Sequence, residues 1–368
     1  VALPVVEPEK YSTLLDEKAE RIRTQFAAFN PPELQVFASP DSHYRMRSEF
    51  RVWHSGDDLF YVMFDMAEND EGKAERKAVR MDQYPIASQQ INTLMSALVS
   101  EIQFVSELRR KLFQVEFLTT LSGEALITLI YHRALTEEWE TLARALGEKL
   151  NAHIIGRSRK QRIVLTQDFV TETLQVGERT LHYQQVESSF TQPNAKVCEK
   201  MLEWATNATQ NIGGDLVELY CGNGNFTLAL AENFDSVLAT EISKTSVKSA
   251  QYNIQLNKIN NVDVVRVSSE EFSDALAGKT QMRRLSDIDL NSKNFTTVLV
   301  DPPRAGLDDS TVVQVAKYHN IVYISCNPDT LAQNLTELCK THRIERFALF
   351  DQFPYTHHVE TGVFLVKK

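Results

Sequence analysis

Four short stretches of this chain carry side chains able to do chemistry, and each lies where an apolar run stops. Ile324-Ser325-Cys326-Asn327-Pro328 places a thiol after the run NIVYIS (320–325) and before a proline that opens a helical segment. A helix N-terminus favours negative charge, so this position suits a thiolate nucleophile drawn down from the ordinary thiol pKa of about 8.5. Asp301-Pro302-Pro303-Arg304 follows FTTVLVD (295–301), and its two prolines stiffen a turn that presents a carboxylate and a guanidinium. In Leu219-Tyr220-Cys221-Gly222-Asn223-Gly224-Asn225-Phe226, the glycines allow a tight turn and close approach of the backbone to a ligand. Glu241, about 20 residues on at the end of the next strand, is then placed to bond ribose hydroxyls. GNGNFT lacks the third glycine of a dinucleotide loop, so the reading is an adenosine-type cofactor, with a purely structural turn as the alternative. The fourth stretch, Pro354-Tyr355-Thr356-His357-His358-Val359-Glu360, offers Glu360 as a general base, or a charge bridging to a surface arginine. Adjacent histidines without a third ligand make a poor metal site. Cys198 and Cys339 read as inert hydrophobes and Cys221 as a packing residue of the glycine loop.

Something must hold these stretches along one edge. From about residue 190 the chain alternates strand and helix: DLVELY (215–220), SVLATEI (236–242), VDVVRV (262–267), FTTVLVD and NIVYIS, with helical segments at 243–258 and 328–340. That rhythm predicts a doubly wound sheet with ligands at the carboxyl ends of its strands. RIERFALFD (343–351) and GVFLVKK (362–368) are expected to add an antiparallel edge. The first half reads differently. Two hairpins, 49–54 with 59–65 and 113–120 with 125–132, and two amphipathic helices, 81–103 and 135–150, predict an α+β domain. A helix over roughly 9–29 has no docking site assigned by the sequence. The expected division is 1–188 and 189–368.

A length of 368 residues suits two domains, and 43% apolar with 24% charged residues is the composition of a soluble globular protein. No stretch is apolar and long enough to cross a bilayer, and VALPVVEPEKYSTLLDEKAER lacks the order of a signal peptide. Four cysteines without paired spacing point to a reducing cytoplasm, with no disulfide framework, zinc or iron–sulfur site. The net charge of −10 weighs against a nucleic-acid partner. Basic residues nevertheless cluster at Arg45, Arg47 and Arg51, at Arg109, Arg110 and Lys111, and at Arg157, Arg159, Lys160 and Arg162. Charge leaves the question open.

FTQPNA (190–195), ELYCGNGNFTLALA (218–231), VDPPRAGLD (300–308), YISCNP (323–328) and FPYTHHVE (353–360), with HYRMRSEFRVWH (43–54), settle on one resemblance. The chain resembles the bacterial tRNA uracil-54 C5-methyltransferase family along nearly its whole length. The resemblance implies a Rossmann-like S-adenosylmethionine-dependent methyltransferase domain preceded by an α+β RNA-binding domain. It implies that Gln192, Tyr220, Asn225, Glu241 and Asp301 bind the cofactor, that Cys326 is the nucleophile and that Glu360 is the base. It also implies that Arg51, Phe113, His132, Phe190 and Arg304 lie near the RNA, although Phe113 and Phe190 also suit core positions. The expected partner is the T arm of tRNA, with no membrane, no metal, no iron–sulfur cluster and no obligatory protein partner. Arg304 stands where Asp-Pro-Pro-Tyr loops of amino-methyltransferases carry tyrosine, which disfavours an exocyclic amine as target. Two alternatives belong beside this reading. Ribosomal RNA uracil-C5 enzymes share the catalytic half but typically carry four cysteines for a cluster, and this chain has none before Cys198. An RNA-binding or remodelling protein with the same fold would not need Cys326 and Glu360.

Overall fold

The computed structural model describes residues 2–368, and the chain divides into two compact units. One comprises the residues up to Pro8, Pro40–Glu172 and Gln185–Ala195; the other comprises Glu9–Ser39, Thr173–Gln184 and Lys196–Lys368. The expected division at residue 188 placed 9–39 and 173–184 in the first domain, whereas here they group with the second. Strands are numbered along the chain, and β1 (Gln35–Phe37) belongs to the second unit.

The first unit is built on a seven-stranded sheet. Its strands are β2 (Arg47–Ser55), β3 (Asp58–Glu68), β4 (Ala74–Met81), β5 (Leu112–Thr119), β6 (Ala125–Tyr131), β7 (His153–Ser158) and β8 (Gln161–Val164), in the order β4-β3-β2-β5-β6-β7-β8. All neighbours are antiparallel except β6 and β7, which the helix Glu137–Leu150 connects. The other predicted helix begins only at Gln89, where the Ser88 hydroxyl accepts from the Ile91 amide: Met81 is the last residue of strand β4, and 82–88 form a loop. That strand, AERKAVRM, is a mostly exposed sheet edge and shows none of the apolar alternation that marks a half-buried strand. Beyond the sheet, β9 (Phe169–Val176) and β10 (Arg179–Val186) form a two-stranded hairpin.

The second unit holds β1 with β11 (Asp215–Leu219), β12 (Ser236–Thr240), β13 (Val262–Val265), β14 (Phe295–Val300), β15 (Asn320–Ser325), β16 (His342–Phe350) and β17 (Glu360–Lys367). The order is β1-β16-β17-β15-β14-β11-β12-β13. β11 and β15 are buried at every residue, as strands covered on both faces must be. β11 pairs in parallel with β12 on one side and β14 on the other, so the strand order reverses there, and such a switch point opens a crevice at the carboxyl ends. β17 is antiparallel, as expected, but it is not an edge: it inserts between β15 and β16, and β1 pairs in parallel outside β16. The helix Tyr11–Phe26, undocked in the sequence reading, buries Tyr11, Leu15, Lys18, Ala19, Ile22 and Phe26. Its Phe26 ring meets that of Phe347 on β16 at 5.6 Å.

Candidate active site

The carboxyl ends of β11, β12, β14 and β15 deliver Tyr220, Glu241, Asp301 and Cys326 to one edge of the sheet. Glu360 arrives from the opposite direction. Because β17 runs antiparallel, its first residue lies at the edge where its neighbours end: Thr361 pairs with Ser325 and Glu360 with Phe350. That register sets Glu360 beside the strand end that carries Cys326. Ser325 and Asn327 shape the turn, the Ser325 hydroxyl accepting from the Asn327 amide at 3.1 Å. Asn327 then caps the helix Pro328–Leu338, with its side-chain oxygen accepting from the Asp329 amide. Its amide nitrogen donates to the Arg304 carbonyl at 2.9 Å, and the Thr330 hydroxyl donates to the same carbonyl at 3.1 Å. The loops bearing Asp301 and Cys326 are thus tied together. Gly306 makes this approach feasible: it has φ +75°, and a Cβ there would meet Thr330 Cβ at 2.9 Å. Asn327, Thr330 and Gly306 are working residues that sequence reasoning did not single out, although Asn-Pro before a helix is a capping signal.

The electrostatics of this edge run against the expectation from the helix terminus. Burial and the nearby Glu360 and Asp301 carboxylates push the Cys326 thiol up to about 11, with Arg304 pulling it back. Dipole attraction at the helix start is outweighed first by burial of the thiol and then by two acids contributed by other strands. Those acids are themselves raised. Burial lifts Asp301 to about 7, and burial together with the Asp301 charge holds Glu360 well above the usual carboxylate range. Beneath the glycine loop Glu218, also missed in the sequence, is buried, accepts from the Thr227 hydroxyl and is lifted to about 8 by burial. Cys221 is buried, unlike Cys326, and burial raises its thiol well above the ordinary value. His357 and His358 lie with ring centroids 4.2 Å apart, and burial lowers His358. Among the described residues no group of three or more His, Cys, Asp or Glu is arranged to hold a metal ion.

Tyr220 adopts φ 59° and Gly224 φ 88°, and a Cβ on Gly224 would strike Leu228 at 2.8 Å, so the helix Asn225–Leu230 packs tightly under the turn. In front of Gly222 the space is open, with nothing within 4 Å of a Cβ built there. The Gly222 amide donates to one Glu241 oxygen at 2.9 Å; the other accepts from Ile242 and Ser243 amides at 2.8 and 3.0 Å. The Tyr220 hydroxyl is 3.1 Å from Ser269 Oγ. Asn225 keeps a buried side-chain nitrogen with no partner, a donor left for a ligand. The acidic side chains of Glu218, Glu241 and Asp301 gather here, and a bound cofactor bearing a sulfonium and an ammonium group would favour the ionised form of the two that burial raises, Glu218 and Asp301. The residues fit S-adenosylmethionine. Gln192 stands in the first unit, half-buried in the loop before the helix Ala195–Ala208.

In the first unit Phe113 stacks on His132 with centroids 3.9 Å apart, and the Arg51 guanidinium lies 3.7 Å from the Phe113 centroid. Phe190 is 77% exposed and so is no core aromatic. Arg304, in the second unit, is exposed.

Comparison with known proteins agrees in kind. Residues 10–368 match the family model described as tRNA (Uracil-5-)-methyltransferase. The chain is 59% identical to the tRNA/tmRNA (uracil-C(5))-methyltransferase of Chromohalobacter salexigens, covering 100% of this chain and 98% of that one. It is 57% identical to the protein of the same description from Shewanella amazonensis, covering 99% of each. Among solved structures, the Pyrococcus abyssi tRNA (uracil-54, C5)-methyltransferase in complex with S-adenosyl-L-homocysteine aligns with a TM-score of 0.69 at 20% identity. The alignment covers 97% of this chain and 83% of that one, a likeness of fold.

Proposed function

The chain belongs to the tRNA (uracil-5-)-methyltransferase family, and we propose that it methylates C5 of uridine 54 in the T loop of tRNA, with Cys326 and Glu360 as the working side chains. The observation that carries the assignment of roles is the register of β17, which sets Glu360 next to the strand end bearing Cys326. In this reading Cys326 Sγ adds to C6 of the uracil, and the displaced electron pair moves towards O4, so that C5 becomes a nucleophile. Bound S-adenosylmethionine supplies an electrophilic methyl group on sulfur. C5 then carries both the methyl group and H5; Glu360 takes H5 as a proton, the C5–C6 double bond re-forms and the C6–Sγ bond breaks. Tyr220, Asn225, Glu241 and Asp301 hold the cofactor.

The raised pKa values set conditions on this sequence. Burial and the neighbouring acids hold the Cys326 thiol well above its ordinary value in the free protein, so its proton must pass to a base before or as the C–S bond forms. Glu360 must likewise be a carboxylate when H5 departs. The reading is tested by incubating the protein with an unmodified T-arm hairpin and methyl-labelled cofactor, then mapping the label. Label on C5 of the uridine at position 54 supports it; label elsewhere, or none, removes it. The relatives named above are described as acting on tmRNA beside tRNA, and we extend the proposal to that RNA.

A further inference from the structure

Most arginines in the basic clusters of the first unit are occupied at home. Arg47 is half-buried and donates to the Ser189 carbonyl at 3.0 Å. Arg109 donates to the Asp57 carbonyl at 2.9 Å and to that of Gln103. Arg157 and Arg162 hold Glu187, and Arg162 also pairs with Asp168 at 3.0 Å. The clusters visible in the sequence are therefore largely internal struts.

Arg51 and Arg76 differ. Among the described residues neither takes part in an ion pair, and both lie over aromatic rings on the outer face of the sheet. Arg51 pairs with Val62 and Trp53 with Phe60 across β2 and β3; Phe64 pairs with Ala78 and Met66 with Arg76 across β3 and β4. Residues two apart share a face, so these side chains stand together, opposite the buried Phe50, Val52, Leu59 and Tyr61. The contacts run on without a break. The Arg51 guanidinium lies 5.7 Å from the Phe64 centroid, Arg76 lies 3.9 Å from the same ring, and Trp53 meets both Phe60 and Phe64 at 6.4 Å. Arg80, over Phe60 at 4.5 Å, is neutralised by Asp58 and Asp82. An edge that only had to be guarded against strand pairing would need charge, not a row of rings. Aromatic planes interleaved with unpaired arginines are the elements of a single-strand platform, because every base has a face to stack and every linkage a phosphate.

We infer that this face stacks unpaired nucleotides of the substrate RNA on Trp53 and Phe64 and takes their phosphates on Arg51 and Arg76. The inference rests on reading the chain as an RNA methyltransferase and extends its RNA surface from the Phe113–His132 stack across three more strands. Trp53 also supplies the probe, since it is 44% exposed while Trp139 and Trp204 are 0% and 3% exposed. The experiment titrates the full chain with unmodified T-arm hairpin RNA, following tryptophan emission and, separately, Kd by filter binding at several salt concentrations. RNA should quench the emission of the wild type and not that of Trp53→Phe. Trp53→Ala and Arg76→Gln should each weaken Kd by about tenfold. Arg76→Gln should also lower the slope of log K against log salt by about 1. Circular dichroism melts check folding; if Trp53→Ala is unfolded, Arg76→Gln on the exposed edge decides. Unchanged emission and unchanged affinity, in a wild type that binds and methylates the hairpin, would overturn this inference and leave the activity standing. A wild type that binds no RNA would overturn both.

Discussion

Lys18 and Asp351 form a 2.7 Å ion pair with side chains only 8% and 1% exposed. The same Lys18 ammonium donates to the carbonyls of Phe353 and His358, each at 2.9 Å, and the Tyr11 hydroxyl donates to the second Asp351 oxygen at 2.7 Å. The N-terminal helix therefore clamps the loop that delivers Glu360, and a helix that looked undocked in the sequence is a support of the catalytic edge. Removing one member of a buried pair strands the other, at a cost of about 3–5 kcal/mol. Lys18→Met should lower stability in urea unfolding by that order and reduce kcat, and adding Asp351→Asn should restore part of both. A Lys18→Met protein with normal stability and turnover would show that the clamp is incidental.

Glu360 is the residue whose role chemistry defines most narrowly. Glu360→Gln keeps the shape but cannot accept a proton. The variant should form the Cys326–C6 bond, transfer the methyl group and then stall, so that label from the cofactor methyl migrates with protein and RNA together on a denaturing gel. Normal release of methylated RNA would reduce Glu360 to a buried structural acid and make His358 the next candidate.

The pH dependence follows from the sign of the shifts. Cys326 is raised to about 11, Asp301 to about 7 and Glu360 well above the carboxylate range, and the reaction consumes the deprotonated form of Cys326 and of Glu360. Single-turnover methylation at subsaturating RNA should therefore climb steadily from about pH 6 to about pH 9. A rate already flat at pH 6 would mean that the bound cofactor and RNA bring these groups far below their values in the free protein.

Much of this was legible in the sequence. The strand ends bearing Tyr220, Glu241, Asp301 and Cys326 were readable because buried parallel strands are uninterrupted apolar runs closed by loop residues. Three things were hidden for physical reasons. β17 is a clear strand in sequence, but its slot between β15 and β16 depends on pairing with residues far along the chain, and that slot is what places Glu360. The direction of the Cys326 shift depends first on its burial in the fold and then on acids at the ends of β14 and β17, all invisible to an argument from its own helix. The basic clusters read as a surface because the sequence does not show that Arg157 is spent on Glu187 or Arg47 on a backbone carbonyl.

The central claim is that Cys326 becomes covalently bound to C6 of the target uridine. A T-arm hairpin with 5-fluorouridine at position 54 tests it most directly, since fluorine cannot leave as a proton and the adduct cannot resolve. Protein, this RNA and S-adenosylmethionine should yield one stable complex, and peptide mapping by mass spectrometry should find the methylated fluorouridine on Cys326, with Cys326→Ala giving none. An adduct on Cys198, Cys221 or Cys339, or methylation of the normal hairpin by Cys326→Ala, would contradict the account.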